Sequence, residues 1–394
     1  MSASADGQTV EGTIYLDHGA TSWPKPPTVA EAMGEALERF GGNPGRGAYR
    51  LALDTARAIH SARRDIAHFL GVDDASNLVF QPSCTQAMNL VLFGLLRPGD
   101  RVVAGFAEHN AVARPLNMLA ARGVEVVVVG PDRSGYVDPD EVESLVRQAP
   151  TRAVVCQHAG NITGTIQPVA DLADIAHEHG ALLLVDGAQA GGHLPVDLGR
   201  LGADAWACSG HKGLLGPQGI GVLYLSPHCQ PEELVAGGTG AGGSEEPLQP
   251  RVRPDRYEAG TANTPGILGL GAAVRWLAEN AGAQRAEEQR LVRRLHEGVL
   301  AIDGFSVLGP EPDHERVPIV AVVHDRLDVD RLSFALDRRY DIATRGGLHC
   351  APWAHEALGT LTSGALRFGV GYGNTEEHID ATLEALAELA EDAS

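Results

Sequence analysis

The stretch ALLLVDGAQAGGHLPVDLGRLGADAWACSGHKG, residues 181–213, decides the fold of this chain. It contains two short and mostly apolar runs, Ala181–Val185 and Asp204–Cys208. Continuous rather than alternating apolar runs are typical of parallel strands that helices cover on both faces. Asp186 follows the first run, and Lys212 follows the second inside a glycine-bounded loop. Polar groups therefore follow both strands, at the sheet edge where α/β proteins bind their ligands.

Similar runs on both sides of this stretch predict a mostly parallel seven-stranded sheet. The predicted strands are Asn77–Gln81, Arg101–Phe106, Val124–Val129, Arg152–Gln157, Ala181–Val185, Asp204–Cys208 and Gly219–Leu225. Helical patterns between them cover Ser83–Leu96, Ala111–Arg122, Pro139–Gln148 and Pro168–His179. This alternation of strands and helices predicts an α/β fold with helices on both faces of the sheet.

The rest of the chain predicts a smaller α+β C-terminal domain. Its predicted elements are helices at Ile267–Asn280 and Ala283–Ala301, a strand within Phe305–Val323, and helices at Asp328–Tyr340 and Glu376–Glu391. Single cores stop growing at about 250–300 residues. We therefore expect the 394 residues to form an arm (1–25), a large domain (26–265) and a small domain (266–394). The glycine-rich segment Gly237–Pro250 is predicted to be a mobile loop.

Composition argues against several classes of protein. The formal charge is −20 and no basic run occurs, so neither nucleic acid nor a membrane surface is an expected partner. No apolar run approaches the roughly 18 residues of a membrane span, and residues 1–11 lack the pattern of a signal peptide, which predicts a cytoplasmic protein. The five cysteines are scattered without a CxxC pair, which argues against a disulfide framework or a metal site and leaves room for one reactive thiol.

The chain has only two lysines, Lys25 and Lys212. Lys212 lies between glycines in SGHKGLLGPQG (209–219), a setting that suits a Schiff base, although a solvated loop lysine is the alternative. Asp186 ends an apolar strand, where a carboxylate is costly without a partner. That partner is either the pyridinium nitrogen of pyridoxal phosphate or, if Asp186 is an N-cap, the start of a helix. Gln189 follows closely enough to donate to the ring oxygen.

Three further strand ends carry polar residues. Thr85 begins a helix directly after a strand, where free N–H groups and the helix dipole favour an anion. His109, in AEHNAV, is a candidate for stacking on an aromatic ring, although a lone histidine is more often structural. Asn161, in HAGNITGT, follows a third strand. Their coincidence at strand ends indicates a ligand site more strongly than any one of them does.

Motifs along most of the chain resemble those of one known family. They are YLDHGATSWPKPP (15–27), AEHNAV (107–112), AGNITGT (159–165), LLVDGAQ (183–189), SGHKGLLGPQG (209–219), YEAGTANTPGI (257–267), RGGLHCAP (345–352) and ALRFGVGYGNT (365–375). In this order they resemble class V aminotransferases, and more narrowly the cysteine desulfurase and selenocysteine lyase group. The resemblance implies the fold type I architecture of pyridoxal phosphate enzymes.

The resemblance also implies roles for individual residues. Lys212 would hold pyridoxal 5′-phosphate and move the substrate's Cα proton, Asp186 would pair with the pyridinium nitrogen, and His109 would stack on the ring. The other implied cofactor-binding residues are Thr85, Cys84, Ser209 and His211 near the phosphate, and Gln189 and Asn161 near the ring oxygen or substrate. Arg367 and Arg345 would bind substrate, Arg367 through a bidentate pair with its carboxylate. Thr261 would reach the phosphate in a second subunit, which implies a homodimer with shared sites.

Cys350 distinguishes a desulfurase from a transaminase, because only the former needs a thiolate to attack the substrate sulfur. In RGGLHCAP it resembles the short loop that carries the desulfurase nucleophile, and we expect Arg345 and His349 to favour the thiolate as positive neighbours. The alternative is a buried and inert cysteine, which is the state expected of Cys156 and Cys208 within apolar strands.

The sequence therefore predicts a cysteine desulfurase that releases alanine from L-cysteine and leaves a Cys350 persulfide for an acceptor protein or a reductant. Selenocysteine lyase, or another C–S lyase, aminotransferase or epimerase of this fold, remains an alternative, as does a non-catalytic sulfur carrier. The chain departs from its apparent relatives at His18 in place of Asn, Gly19 in place of Ala, Ser83–Gln86 in place of a Gly/Ala-Thr-Glu pattern, and Gly160 in place of Ser. These departures leave the substrate open.

Overall fold

The computed structural model describes residues 12–45, 47–240 and 245–392, and a seven-stranded sheet lies at its centre. After the short β1 (Ile14–Tyr15), this sheet contains β2 (Leu78–Gln81), β3 (Arg101–Ala104), β4 (Glu125–Val128), β5 (Ala153–Gln157), β6 (Leu182–Asp186), β7 (Ala205–Ser209) and β8 (Gly221–Leu225). Its order is β2-β8-β7-β6-β5-β3-β4, and only β8 runs antiparallel to its neighbours. All seven predicted strands are confirmed to within two residues at each end.

Both faces of the sheet are covered, which explains the continuous apolar runs. Leu183 and Val185 belong to one buried cluster, whereas Leu184 between them belongs to the cluster on the other face. The covering helices are α1 (Pro27–Arg39), α2 (Arg50–Phe69), α3 (Cys84–Leu95), α4 (Asn110–Ala120), α5 (Pro139–Gln148), α6 (Val169–Glu178) and the short α7 (Leu198–Leu201). The four helices predicted between the strands are confirmed as α3 to α6. Helices α1 and α2 were not predicted, and they pack against the helix that follows the sheet.

That helix, α8 (Thr264–Leu300), corrects the prediction of two helices separated near residue 282. Gly282 lies inside it on an open side, with no heavy atom within 4 Å of an added Cβ. A mid-helix glycine costs only about 1 kcal/mol relative to alanine. Apolar packing outweighs this cost, because Leu270 joins the core of the large sheet and Leu295 joins the core of the smaller one.

The C-terminal part contains β9 (Phe305–Leu308), β10 (Ile319–His324), α9 (Val329–Tyr340), β11 (Ile342–Ala343), α10 (Pro352–Ala357), β12 (Leu366–Gly369) and α11 (Glu376–Glu391). Strands β12, β10 and β9 form an antiparallel sheet in that order. The single strand predicted within Phe305–Val323 is wrong, because Gly309, with φ of +102°, and Pro310 end β9 before β10 begins. The helices predicted at Asp328–Tyr340 and Glu376–Glu391 are confirmed as α9 and α11.

The N-terminal segment joins the small sheet region, because β1 pairs in parallel with β11. The domain boundaries predicted at residues 26 and 266 stay predictions. Residues 1–11 and 393–394 lie outside the described residues. The predicted loop Gly237–Pro250 has no helix or strand at 237–240 and 245–250, and its centre, 241–244, is also outside the description. Within the described ranges, no helix is long and apolar enough to cross a membrane.

Candidate active site

The carboxyl ends of three neighbouring parallel strands meet at one edge of the large sheet. Asp186 of β6 is in register with Gln157 at the end of β5 and with Ala207 near the end of β7. The segment after β7 carries Lys212, and α4, after β3, begins next to His109. Strand register therefore brings the loops with the predicted site residues to the same level of the sheet.

Asp186 is 4% exposed and accepts two hydrogen bonds on the same oxygen. The Ala188 N–H donates to Oδ1 at 2.9 Å, and the Cys84 thiol contacts the same atom at 3.2 Å. The predicted alternative of a helix N-cap is wrong, because the next helix, α7, begins only at Leu198. Burial raises the pKa of the Cys84 thiol, with the Asp186 charge adding to the effect, so this thiol stays protonated and donates. Asp186 is thus a fixed, buried acceptor.

Lys212 lies in the loop that follows β7, beside Asp186. Burial lowers the pKa of its amine, and Arg367 lowers it further, while Asp186 opposes both. The shift is towards the neutral amine, which is the form that accepts a proton. The next residue must be glycine: a Cβ on Gly213 would lie 2.5 Å from the Gly191 carbonyl oxygen. The close backbone approach that the sequence predicted here is confirmed.

Lys25, the other lysine, is bound to the loop that carries Lys212. Its amine donates to Ser22 Oγ at 2.7 Å and to the carbonyl oxygen of His211 at 3.0 Å. Burial lowers the pKa of Lys25 to about 8. Lys25 therefore holds the residue next to Lys212 and does not duplicate its position.

His109 is the N-cap of α4, and its Nδ1 accepts from the Ala111 N–H at 3.0 Å. Burial, followed by the charge of Lys212, lowers the pKa of His109 to about 4. The ring is therefore neutral near pH 7, and since Nδ1 accepts, Nε2 carries the proton. The cap fixes the ring at the sheet edge, where the sequence analysis expected it to stack.

The first turn of α3 meets the end of β7. Ser83 caps α3 by accepting from the Gln86 N–H, and Ser209 Oγ accepts from the Cys84 N–H at 3.0 Å. Thr85 lies exposed in this turn. His211 contributes a buried Nδ1 that has no hydrogen-bond partner in the described ranges, and burial lowers its pKa to about 4. The contact between Ser209 and Cys84 therefore brings two of the predicted phosphate-binding segments together.

Gln189 and Asn161 are buried, and each uses its amide nitrogen to bind another segment. Gln189 Nε2 donates to the Gly19 carbonyl oxygen at 2.9 Å, and Asn161 Nδ2 donates to that of His349 at 2.9 Å. Asn161 Oδ1 is buried without a partner among the described residues. The two amides thus join the N-terminal segment and the Cys350 loop to the sheet edge.

Arg367 projects from β12 and is only 2% exposed. Its Nη1 donates to the Asn161 carbonyl oxygen at 3.1 Å, and its Nη2 donates to Asp17 Oδ1 at 3.0 Å. Asp17 was not among the predicted site residues. Its only signal was its place in the YLDHGAT motif, because 350 positions separate it from Arg367.

Cys350 is exposed, whereas Cys84, Cys156, Cys208 and Cys229 are buried. The inert, buried alternative is therefore wrong for Cys350 and right for Cys156 and Cys208. The loop is held to the sheet edge, because the Asn110 N–H donates to the Cys350 carbonyl oxygen at 2.7 Å. Cys350 and His349 have φ of +58° and +49°, values that cost non-glycine residues about 1–3 kcal/mol each and often mark functional loops.

Only one of the two expected positive neighbours of Cys350 carries a charge. Arg345 Nη2 lies 3.9 Å from Cys350 Sγ. His349 is buried, its Nε2 lies 2.9 Å from the Ala365 carbonyl oxygen, and burial lowers its pKa to about 3. The prediction of a positively charged His349 is therefore wrong, and Arg345 is the cation beside the thiol.

Thr261 is the predicted site residue that the structure places elsewhere. It is exposed in a surface cavity of about 810 Å³, together with Arg63, Phe80, Glu258 and Asn263. None of the residues described at the Lys212 site lines this cavity. Arg63 forms two hydrogen bonds with Glu258, at 2.6 and 2.8 Å, which fix the segment that leads to Thr261.

Comparison with known proteins identifies the family. The model of the family described as aminotransferase class-V matches residues 14–382. This chain belongs to the class V aminotransferases. The resemblance inferred from the motifs is confirmed, and the family match runs from β1 into the first half of α11.

Relatives of this class V aminotransferase carry a narrower name. A probable cysteine desulfurase of Methanothermobacter thermautotrophicus is 38% identical over 96% of this chain and 94% of its own length. One from Pseudomonas aeruginosa is 35% identical over 95% and 93%. The apo structure of a cysteine desulfurase from Thermococcus onnurineus NA1 has a TM-score of 0.90 at 31% identity, covering 96% of this chain and 95% of that one. The predicted resemblance to the cysteine desulfurase group and the predicted fold are confirmed.

The departures from the family motifs have local structural reasons. A Cβ on Gly160 would lie 2.7 Å from Thr163 Oγ1, so a larger residue here would require the Thr163 side chain to move. His18 is 3% exposed and packs edge-on against Tyr15, with ring centroids 5.1 Å apart. Burial lowers the pKa of His18 to about 3, so it is a neutral core residue. Ser83 caps α3, and Cys84 donates to Asp186, so both act in the architecture of the site.

Proposed function

We propose that this class V aminotransferase is a pyridoxal 5′-phosphate–dependent cysteine desulfurase, which converts L-cysteine to L-alanine and collects the sulfur on Cys350. One observation carries the proposal. The only exposed cysteine among the described residues lies on a loop whose backbone is hydrogen-bonded to Asn110, the residue next to His109 at the sheet edge. An aminotransferase needs no such thiol. Curated relatives that are 32–38% identical carry the name of this enzyme.

The residues at the sheet edge fit pyridoxal phosphate. Asp186 offers a buried carboxylate for the ring nitrogen, and Lys212 offers an amine whose pKa is lowered by burial. The first turn of α3 and the unpartnered, buried Nδ1 of His211 suit a phosphate. When bound, pyridoxal phosphate supplies an electron sink conjugated to the substrate's Cα.

The chain's own groups perform the remaining steps. Arg367 binds the substrate carboxylate, and the Lys212 amine takes the proton from Cα and returns it. The Cys350 thiolate, beside Arg345, attacks the substrate sulfur: an S–S bond forms as the Cβ–S bond breaks. The electron pair of the broken bond stays on Cβ, and the proton that the Cys350 thiol gave up is delivered to Cβ, which becomes the methyl group of alanine. The balance is cysteine plus the Cys350 thiol giving alanine plus the Cys350 persulfide.

The test replaces Cys350 with serine and measures all products. The substrates are L-cysteine, selenocysteine, cystine and cysteine sulfoxides. We expect the wild type to give alanine from L-cysteine, and Cys350→Ser to lose this alanine formation while still binding the cofactor. Pyruvate as the main product would indicate β-elimination instead. Alanine formation that survives in Cys350→Ser would contradict direct attack by this thiolate, and turnover of selenocysteine alone would indicate a selenocysteine lyase.

We propose further that two subunits share each site, with Thr261 of one subunit at the cofactor phosphate of the other. Thr261 is exposed in a cavity apart from the Lys212 site of its own chain, which supports this arrangement. Complementation tests it: mixed dimers of Lys212→Ala and Thr261→Ala chains contain one complete site, so mixing the two weakly active variants is expected to restore activity. No gain on mixing would contradict sharing. A cytoplasmic location and a sulfur-acceptor partner stay predictions.

A further inference from the structure

The guanidinium of Arg367 has one edge that no protein group occupies. Nη1 donates to the Asn161 carbonyl oxygen and Nη2 to Asp17, but Nε is buried without a hydrogen-bond partner in the described part of the chain. A buried, unpaired donor on a cation is expensive and marks the place of an absent acceptor. In a guanidinium, Nε–H and one N–H of Nη2 lie on the same edge, which is the fork geometry that receives a carboxylate.

Asp17 is held rigidly beside this edge. Its backbone forms a parallel β-bridge with Gly369, which lies two residues after Arg367 on β12. The N–H of Gly369 donates to the carbonyl oxygen of Leu16, the residue before Asp17, at 2.7 Å. Its own carbonyl oxygen accepts from the Ala20 N–H at 3.0 Å. Backbone pairing, rather than a flexible side chain, thus sets the position of the Asp17 carboxylate relative to Arg367.

The backbone of Gly19 packs against the flat face of the Arg367 guanidinium. A Cβ at this position would lie 3.0 Å from Arg367 Cζ, 3.2 Å from Nη2 and 3.3 Å from Nε. The backbone at Gly19 is held in this position, because Gln189 donates a hydrogen bond to its carbonyl oxygen. The Arg367 guanidinium is also held in place, by hydrogen bonds to the Asn161 carbonyl oxygen and to Asp17. The glycine found where relatives commonly have alanine therefore allows the N-terminal segment to lie directly on the guanidinium.

We propose that Asp17 and Gly19 are positioning residues that orient Arg367, so that its Nε–Nη2 edge receives the substrate's α-carboxylate. Asp17 acts as a hydrogen-bond acceptor for one Nη2 proton, which directs the other N–H groups towards the substrate. Gly19 sets the plane of the fork. This inference rests on the proposed function and adds two specificity-determining residues to it.

The experiment compares two ligands that differ only by a carboxylate, L-alanine and ethylamine. Their dissociation constants are measured on the cofactor-loaded protein from the change in the cofactor's absorbance, and the carboxylate preference is the ratio of the two constants. Loss of one arm of the fork corresponds to about tenfold in affinity. We expect Asp17→Ala to lower the preference about tenfold, mainly by weakening alanine binding, and Gly19→Ala to lower it as well.

Asp17→Asn distinguishes the orientation of Arg367 from two other effects of the substitution, the loss of the Asp17 charge and the loss of stability. Its amide oxygen still accepts from Nη2, so the carboxylate preference is expected to stay within about threefold of the wild type, although thermal stability falls in both Asp17 variants because each leaves a buried cation unpaired. Gly34→Ala on α1 is the matched control, since no atom lies within 4 Å of its added Cβ, and it is expected to leave the carboxylate preference unchanged.

Each other outcome decides a different point. If Asp17→Ala keeps the wild-type preference, or if Asp17→Asn loses as much as Asp17→Ala, the positioning role is overturned. If the wild type binds ethylamine as well as alanine, Arg367 is not the carboxylate site, although cofactor binding stands. If the wild type responds to neither amine, the proposed function fails and this inference fails with it.

Discussion

The Lys212 loop and the Cys350 loop adjoin the same sheet edge, but they are built in opposite ways. Lys212 follows a strand that is buried at every position, and its amine lies beside Asp186 with a lowered pKa. Cys350 is exposed, has a left-handed backbone, and has one charged neighbour at 3.9 Å. The difference matches the two tasks: a proton moves best between fixed groups away from water, whereas a sulfur atom that leaves the enzyme must be reachable from outside.

Two contacts hold the backbone of the Cys350 loop at the sheet edge, and neither of their partners belongs to the Lys212 loop. The Asn110 N–H binds the Cys350 carbonyl oxygen, and Asn161 Nδ2 binds that of His349. Both contacts use the loop's backbone and leave the Sγ atom of Cys350 unrestrained. The difference between the two loops can therefore be tested by mutating one loop and measuring a property of the other.

The largest expected effect is that of Lys212→Ala. It removes the amine that would hold the cofactor, so the absorbance band of bound pyridoxal phosphate at about 410–420 nm is expected to vanish. Turnover should fall at least about a thousandfold, since the proton acceptor is lost as well. Spectra and alanine assays check this. Lys25→Ala is the control and should keep the band; a band that persisted in Lys212→Ala would refute the assignment.

The next effect concerns the exposed thiol. Iodoacetamide is expected to add one group to the native chain, at Cys350, because the other four cysteines are buried. Arg345→Gln should slow this alkylation, since it removes the cation that lies 3.9 Å from Sγ, and Arg345→Lys should recover part of the rate. Peptide mass spectrometry over a time course measures both. Equal labelling of a second cysteine before unfolding would contradict the contrast in exposure.

A pH effect follows from buried histidines in both regions. Burial lowers the pKa of His109 to about 4 and that of His349 to about 3. Between pH 6.5 and about 4 the unfolded chain takes up protons on these residues and the folded chain does not, so the free energy of unfolding falls as pH falls. Calorimetry from pH 7 to pH 4.5 should show a decreasing Tm. A shallower decrease is expected in His349→Gln, and a steeper one would contradict the assignment of a neutral ring.

The smallest expected effect is that of Cys84→Ala, which removes the thiol donor to Asp186. One neutral hydrogen bond contributes about 0.5–1.5 kcal/mol, so turnover should fall about threefold to tenfold while Cys350 alkylation stays unchanged. Cys84→Ser keeps a donor and should restore most of the activity. If serine and alanine behave alike, the hydrogen bond to Asp186 has no functional role.

The sheet and the residues at its strand ends were predictable from the sequence, because both are local patterns. A continuous apolar run such as that of β6, Leu182–Asp186, indicates a strand in a sheet with both faces covered. A charged residue at the end of such a strand indicates a candidate ligand site. The single helix α8 was missed because Gly282 reads as a break, while the packing that overrides it involves two distant cores. The neutrality of His349 and the Asp17–Arg367 pair depend on tertiary burial and on contacts across the chain, which no local pattern records.

The tethering of the Cys350 loop limits how far the sulfur can travel. Arg345 is bridged to Arg367 on β12, and Cys350, five residues later, is bound through its carbonyl oxygen to Asn110, so both ends of this segment are anchored. Even if the Asn110 contact opened, five extended residues reach no further than about 17 Å from the bridge. Delivery over longer distances must therefore come from the recipient: an acceptor has to present its own thiol or other nucleophile close to the enzyme surface, and its size and shape are limited by the rim around Cys350.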